Sequence, residues 1–290
     1  MFITITGELG SGKSTAAKLL SEAHGFEMYS TGSIQREIAK EKGISTLELN
    51  RQMTNDIHNV YDKMIDEKTV ELSRANLGKD IVFDSRMAWH FVEQSFKVYV
   101  TVDAFVAANR VMAAGRGQEE QYDSLQEAAK ALMKRKQLED VRFAELYHVQ
   151  TTDFRNYDLI VDSTSIAPDA LAEFILEKAK DRTGNWEVYL SPQRLFPTVL
   201  MQEEEGTADG AVEVLEENGF YFILRGHSVV CEKIRQKEPL VLVRVRKPDE
   251  NGYVESCQKS VGEIIEASDE YYAGWEKRNG MKFLGYPKRW

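Results

Sequence analysis

Apolar positions along the first 180 residues fall into short strand-like runs that alternate with longer stretches at helical spacing. Phe2–Thr6 sets Ile3 and Ile5 on one face of a strand. Ala16, Ala17, Leu19, Leu20 and Ala23 then recur at helical spacing across Ser14–Ala23, with Gly25 as a left-handed stop. Phe26–Tyr29 predicts a second short strand, and Ser33–Glu41 and roughly Thr46–Ala75 predict helices. Ile81–Phe83, Lys97–Val102 and Leu159–Val161 are three further β-rich runs between long helical stretches, and Pro168–Ala179 reads as a closing helix. This rhythm predicts an α/β fold, a doubly wound parallel sheet with helices on both faces.

The pattern changes after the polar stretch Asp181–Asn185. Trp186–Leu190 predicts a strand, and Ala211–Glu217 a helix stopped by Gly219. Phe220–Leu224 predicts a strand, Ser228–Gln236 a helix, Leu240–Val245 a strand and Val261–Trp275 a last helix. Glu203–Gly206 reads as a solvated loop. The chain thus divides into a first domain over 1–182 and a smaller α+β domain over 186–290. Its length of 290 residues agrees with two units at about 150 residues each.

Composition narrows the function classes. Acidic residues outnumber basic ones 47 to 37, for a net charge of −10, which disfavours non-specific binding to nucleic acid or an anionic membrane. No apolar run approaches the ~20 residues of a membrane span, and Met1–Thr6 lacks the basic start of a signal peptide. Two cysteines, Cys231 and Cys257, make neither a disulfide framework nor a zinc site, so a reducing cytoplasm is expected.

Gly7-Glu8-Leu9-Gly10-Ser11-Gly12-Lys13-Ser14 fits G-x-x-x-x-G-K-[ST] at every specified position, between a strand and a helix. Glycines let successive backbone N–H groups face one concavity, and the helix N-terminus adds positive potential where phosphate would sit. Gly7, Gly10, Ser11, Gly12, Lys13, Ser14 and Thr15 are therefore the expected ATP-phosphate cradle. Lys13 is to reach the β- and γ-phosphates, and Ser14 is to ligate Mg2+. Asp84 ends an apolar strand, where an acid commonly orients magnesium through water.

A phosphate cradle alone does not name the acceptor. Three further segments do more: Tyr29-Ser30-Thr31-Gly32 followed by Arg36; Ile81–Asp84 followed by Ser85 and Arg86; and Arg135-Lys136-Gln137-Leu138-Glu139-Asp140-Val141-Arg142-Phe143 followed by Tyr147. In this order and at these intervals they resemble the cytidylate kinase family, particularly its short archaeal-type branch, over residues 1–180. The resemblance implies a parallel five-stranded P-loop NTPase core, a mobile acceptor-binding helical segment and a lid. It implies that Ser30, Thr31, Gly32, Arg36 and Arg86 hold a nucleoside monophosphate. It also implies that Arg135 and Arg142 neutralise the moving phosphoryl group. Convergent arginines suit that task, because phosphoryl transfer needs positioning and charge neutralisation more than covalent help. Lys136 stands where the family has an acidic residue, Ser85 where it has glycine, and the stretch 113–122 is longer and less basic than expected.

The expected activity is ATP-dependent phosphoryl transfer to CMP or dCMP. Two alternatives stay open: a P-loop kinase for another small acceptor, and a nucleotide-binding regulatory protein with little turnover. In the second domain, Ser191–Thr198 and Phe220–Ser228 weakly resemble the ParB/sulfiredoxin superfamily. Arg225-Gly226-His227-Ser228 at a helix start could receive a phosphate. A protein partner or a second nucleotide are the two ligands that reading leaves open.

Overall fold

The structure, a computed structural model, describes residues 1–54, 60–114, 122–182, 184–200 and 211–285. Phe2–Gly7 (β1) is buried along its whole length, which explains why its apolar residues alternate with threonines rather than charges. It pairs in parallel with Ile81–Asp84 (β3) on one side and Phe96–Thr101 (β4) on the other. Glu27–Ser30 (β2) lies outside β3, and Leu159–Asp162 (β5) outside β4, again in parallel. The chain leaves β1 toward the β2 side and later returns to the β4 side. The loop after β1 therefore sits at the topological switch point, where α/β sheets bind ligands.

Lys13–His24 (α1) follows that loop and buries Ala16, Ala17 and Leu20; the Gly25 N–H closes it on Ser21 O. Pro168–Lys180 (α8) packs beside it through Leu171, Ala172, Ile175 and Leu176, covering one face of β1, β4 and β5. Thr31–Glu41 (α2), Thr46–Thr54 (α3) and Val60–Ala75 (α4) form an arm beyond β2, joined by a small cluster of Ile34, Ile38, Leu49 and Ile65. Ala88–Phe91 (α5) follows β3, while Ala104–Ala113 (α6) and the long Leu125–Tyr147 (α7) lie between β4 and β5.

The expected boundary near residue 183 does not end the sheet. Glu187–Leu190 (β6) adds a sixth parallel strand against β5, with Ile160 opposite Val188. Val241–Arg246 (β10) pairs antiparallel to β6, and Val212–Glu217 (β8), Phe220–Arg225 (β9) and Leu195–Phe196 (β7) continue the same ten-stranded sheet among the described residues. His227–Gln236 (α9) and Val261–Asn279 (α10) cover it, with a small hairpin of Tyr253–Val254 (β11) and Lys259–Ser260 (β12) at the margin. One apolar cluster runs from Trp89, Tyr99 and Tyr157 through Ile160 and Val188 to Val214, Val230 and Trp275. Both halves of the chain therefore share a core.

Residues 211–217 correct the sequence expectation. Val212–Glu217 of that run form strand β8, not a helix. Val212 and Val214 point into the core with period two, and the buried Glu213 between them is paired with Arg246 of β10. The acidic stretch 203–206 and most of 113–122 lie outside the described residues. Among the described residues, no helix is long and apolar enough to cross a membrane.

Candidate active site

The loop after β1 owes its path to glycine at two close approaches. At Gly7 (φ 141°) a Cβ would stand 2.1 Å from Val100 O on β4, and at Gly10 (φ 74°) it would stand 2.8 Å from Ala107 O on α6. No side chain fits at either point. Between them, the Glu8 N–H donates to Val100 O at 3.0 Å, so the loop is laid flat over the end of β4. Ser11 is fully buried, and its Oγ has no hydrogen-bond partner among the described residues. A buried hydroxyl without a partner costs about 1–3 kcal/mol, and a phosphate oxygen would relieve that cost. Glycine cradle and orphaned hydroxyl together fit ATP phosphates. Lys13, Ser14 and Thr15 open α1 directly beyond, with Ser14 and Thr15 exposed.

Glu8 braces the loop from within. Its Oε2 accepts from Thr101 Oγ1 at 3.0 Å and from the Val102 N–H at 2.8 Å. Burial raises its pKa, opposed first by the positive charge of Arg194. Arg194, in the turn Pro192–Arg194 after β6, donates to Thr101 Oγ1 at 3.1 Å and to Asp162 Oδ2 at 3.2 Å. Burial works against the Arg194 charge, yet Asp162, Tyr221, Glu8 and Asp103 together outweigh it and the net shift is upward. Arg110 of α6 fastens the far side, donating to Gly10 O at 3.3 Å, Ser163 Oγ at 3.0 Å and Ser163 O at 2.7 Å. Sequence reasoning missed Arg194 and Arg110, since each acts on residues far along the chain. The one available signal was Asp162, an acid ending a buried strand as Asp84 does.

Of the residues expected to hold the acceptor, Ser30 ends β2 opposite Asp84 in the strand register and caps α2, accepting from the Ser33 N–H at 3.0 Å. Thr31 and Gly32 begin that helix. Arg36, one turn on, is exposed and folds back over Gly32, where a Cβ would meet its Nη1 at 3.5 Å. Arg86 lies just past β3, its carbonyl held by Thr6 Oγ1 at 3.1 Å and Trp89 Nε1 at 3.0 Å. Burial and the neighbouring Arg135 bring its pKa down to about 10, which leaves it cationic at neutral pH.

Arg86 and Arg135 converge on one carboxylate, that of Glu139, which forms ion pairs with both. Arg142, in contrast, is ion-paired with Asp62 of α4, and Tyr147 donates to Asp66 of α4 at 2.6 Å. The structure thus brings Arg86 and Arg135 together and turns Arg142 toward the α4 arm. Lys136 pairs with Asp140 and lies over the Tyr99 ring at 5.8 Å. Among the described residues no three His, Cys, Asp or Glu side chains form a metal cluster. Magnesium needs none, because it binds through one or two protein groups plus phosphate oxygens and waters.

In the C-terminal region, the Gly-His pair serves the fold. Buried His227 Nε2 accepts from the Thr198 N–H at 3.1 Å, and its ring meets Trp275 edge-on at 5.9 Å. Arg225 is exposed at the end of β9.

A glycine-built phosphate loop at the switch point of a parallel sheet defines a P-loop α/β protein. Comparison with known proteins carries this further. The model of the cytidylate kinase-like family matches residues 2–165, and the chain belongs to that family. The cytidylate kinase of Methanobrevibacter smithii is 29% identical over 180 residues, covering 62% of this chain and 99% of that protein. The cytidylate kinase of Natronomonas pharaonis is 32% identical over 173 residues, covering 59% of this chain and 85% of that protein. An S-adenosylmethionine-dependent nucleotide dehydratase of Lacinutrix mariniflava is 32% identical over 176 residues, covering 60% of this chain but 35% of that protein. These matches support a kinase of the nucleoside monophosphate kinase-like type.

Proposed function

We propose that the chain transfers the γ-phosphoryl group of ATP to a nucleoside monophosphate, with CMP or dCMP as the preferred acceptor. The observation that carries this reading is the meeting of Arg86 and Arg135 on a single carboxylate. Two guanidinium forks from separate elements, a strand end and α7, form an anion site, and the Glu139 carboxylate occupies it as an acceptor phosphate would. Arg36 beside Gly32 supplies a third cation to the same acceptor. The choice of cytosine rests on the relatives that carry that name. The dehydratase name gives no support for dehydration here, because the match covers 35% of that protein.

Residues 1–182 carry the chemistry in this reading. Gly7–Thr15 hold the ATP phosphates, with Ser11 donating from below and Lys13 reaching the transferred group. Ser14 and Asp84 are the proposed magnesium-holding groups, and the ion when bound would neutralise charge on the phosphate oxygens. Arg135 stabilises the charge on the moving phosphoryl group, and Arg142 joins it after releasing Asp62. Initial rates with CMP, dCMP, UMP, AMP and GMP as acceptors test the assignment. CMP or dCMP should give the highest kcat/KM. A ten-fold preference for another monophosphate would reassign the base, and no transfer to any of them would reject the reading.

A further inference from the structure

A cavity of about 310 Å3 lies between the phosphate-loop half and the C-terminal half. It falls within the ~300–1,000 Å3 range of small-ligand sites. One wall is aliphatic, from Leu9, Val102, Ala104, Ala107, Leu132 and Met133. The opposite wall is aromatic, from Phe154, Phe196, Phe220, Tyr221 and Phe283, with Phe196 and Phe283 stacked at 4.4 Å. Neither the phosphate-cradle residues 11–15 nor the acceptor residues 30–36 and Arg86 line it. Glu8 and Leu9 of the phosphate loop do line it, so it adjoins the ATP-phosphate subsite while lying apart from the acceptor residues, and its ligand chemistry is independent of which acceptor the kinase uses.

Charge decides what kind of ligand fits. Two lining cations are ion-paired, Lys136 with Asp140 and Arg194 with Asp162, and Lys247 is a third, exposed one. Glu8 on the floor is tied to Thr101 and the Val102 N–H. Like Glu8, Asp103 and Glu216 line the cavity, so its three cations face three carboxylates and the described lining carries no net positive charge to draw a phosphate. Apolar and aromatic walls favour a flat ring; the Gln137 amide offers a donor and an acceptor to its edge, and Asn218, whose Nδ2 donates to Glu217 at 2.9 Å, offers its amide oxygen. From this geometry we infer that the cavity is a second ligand site for an uncharged, planar nitrogen heterocycle of nucleoside size. Occupancy would brace α7, which carries Arg135 immediately beside the lining residue Lys136, against the β8–β9 hairpin.

The test uses the full chain saturated with a non-hydrolysable ATP analogue and CMP, titrated calorimetrically with cytidine, uridine, adenosine and guanosine. At least one nucleoside should still bind, with one site per chain. Phe220→Ala removes part of the aromatic wall and Met133→Trp fills the cavity; each should weaken that binding at least ten-fold while the melting temperature reports an intact fold. The inference is overturned if none of the four binds at millimolar concentration. It is equally overturned if binding is unchanged in both folded variants, or if the ATP analogue and CMP displace the nucleoside.

Discussion

Arg194 reaches Asp162 across the junction of the two halves, its Nη1 3.2 Å from Oδ2, with 10% of one side chain and none of the other exposed to solvent. The Ser191 N–H donates to the same oxygen at 3.0 Å, and Thr164 caps the other through its N–H and hydroxyl. The C-terminal half thus places a cation beneath the end of β5 and, through Thr101, against Glu8 of the phosphate loop.

Removing that cation should strand a buried carboxylate. Arg194→Met is expected to cost about 3–5 kcal/mol of stability, as breaking a buried pair from one side does. The double variant Arg194→Met/Asp162→Asn should recover part of the loss. Urea melts of the three proteins measure both numbers. A single-variant loss below about 1 kcal/mol would mean that Ser191 and Thr164 satisfy Asp162 without help.

Truncation after Arg182 tests the junction on a larger scale. The pattern of the sequence predicts that residues 1–182 stand alone, but in the structure β5 would lose its neighbour β6 and Ile160, Tyr99 and Tyr157 would lose part of their cover. Uncovering a few such side chains costs roughly 1.5–3 kcal/mol each, comparable with a whole domain's stability of about 5–15 kcal/mol. The truncated chain should therefore aggregate or melt far below the full protein. A cooperative melt within a few degrees of the full chain would show that the first half needs nothing from the second.

These two cases mark where the sequence is readable. Local patterns carried through: the alternation around Ile3 and Ile5, the Ala16–Ala17–Leu20 stripe, and the glycines of the phosphate loop each act on neighbours within a few residues or within one strand pair. Ala211–Glu217 misled because a short run stopped by Gly219 does not show locally that Glu213 is buried against Arg246, 33 positions away. Arg194 and Arg110 escaped notice for the same reason, since the partners that give them meaning lie up to 100 positions distant. The polar stretch 181–185 marks a real change of pattern but gives no sign that the sheet continues across it.

Arg36 and Arg86 should affect acceptor and donor unequally. Arg36→Ala and Arg86→Ala are expected to raise the acceptor KM ten-fold or more, with ATP affinity nearly unchanged, because neither residue belongs to the Gly7–Thr15 loop. Steady-state kinetics with each substrate varied separately would show this. An equal loss of ATP binding in both variants would place them in the donor site.

Asp66 should make stability depend on pH. Burial raises its pKa to about 7, partly opposed by the hydrogen bond from Tyr147. The folded protein therefore holds a proton that the unfolded chain releases near 3.8, so this group's contribution to stability falls as pH rises from about 4 to 7. Asp66→Asn removes the effect. Melting temperatures of the native protein and the variant should be similar near pH 4 and diverge in favour of the variant toward pH 7. Parallel curves across that range would show that Asp66 ionises freely.

The most direct test of the kinase assignment follows the phosphoryl group itself. With γ-labelled ATP, magnesium and CMP, label should appear in CDP in the native protein. Lys13→Ala should slow that transfer at least a hundred-fold, equivalent to about 2.7 kcal/mol of transition-state stabilisation. Transfer at comparable rates with and without Lys13, or label released only as inorganic phosphate, would contradict phosphorylation of a nucleoside monophosphate at this loop.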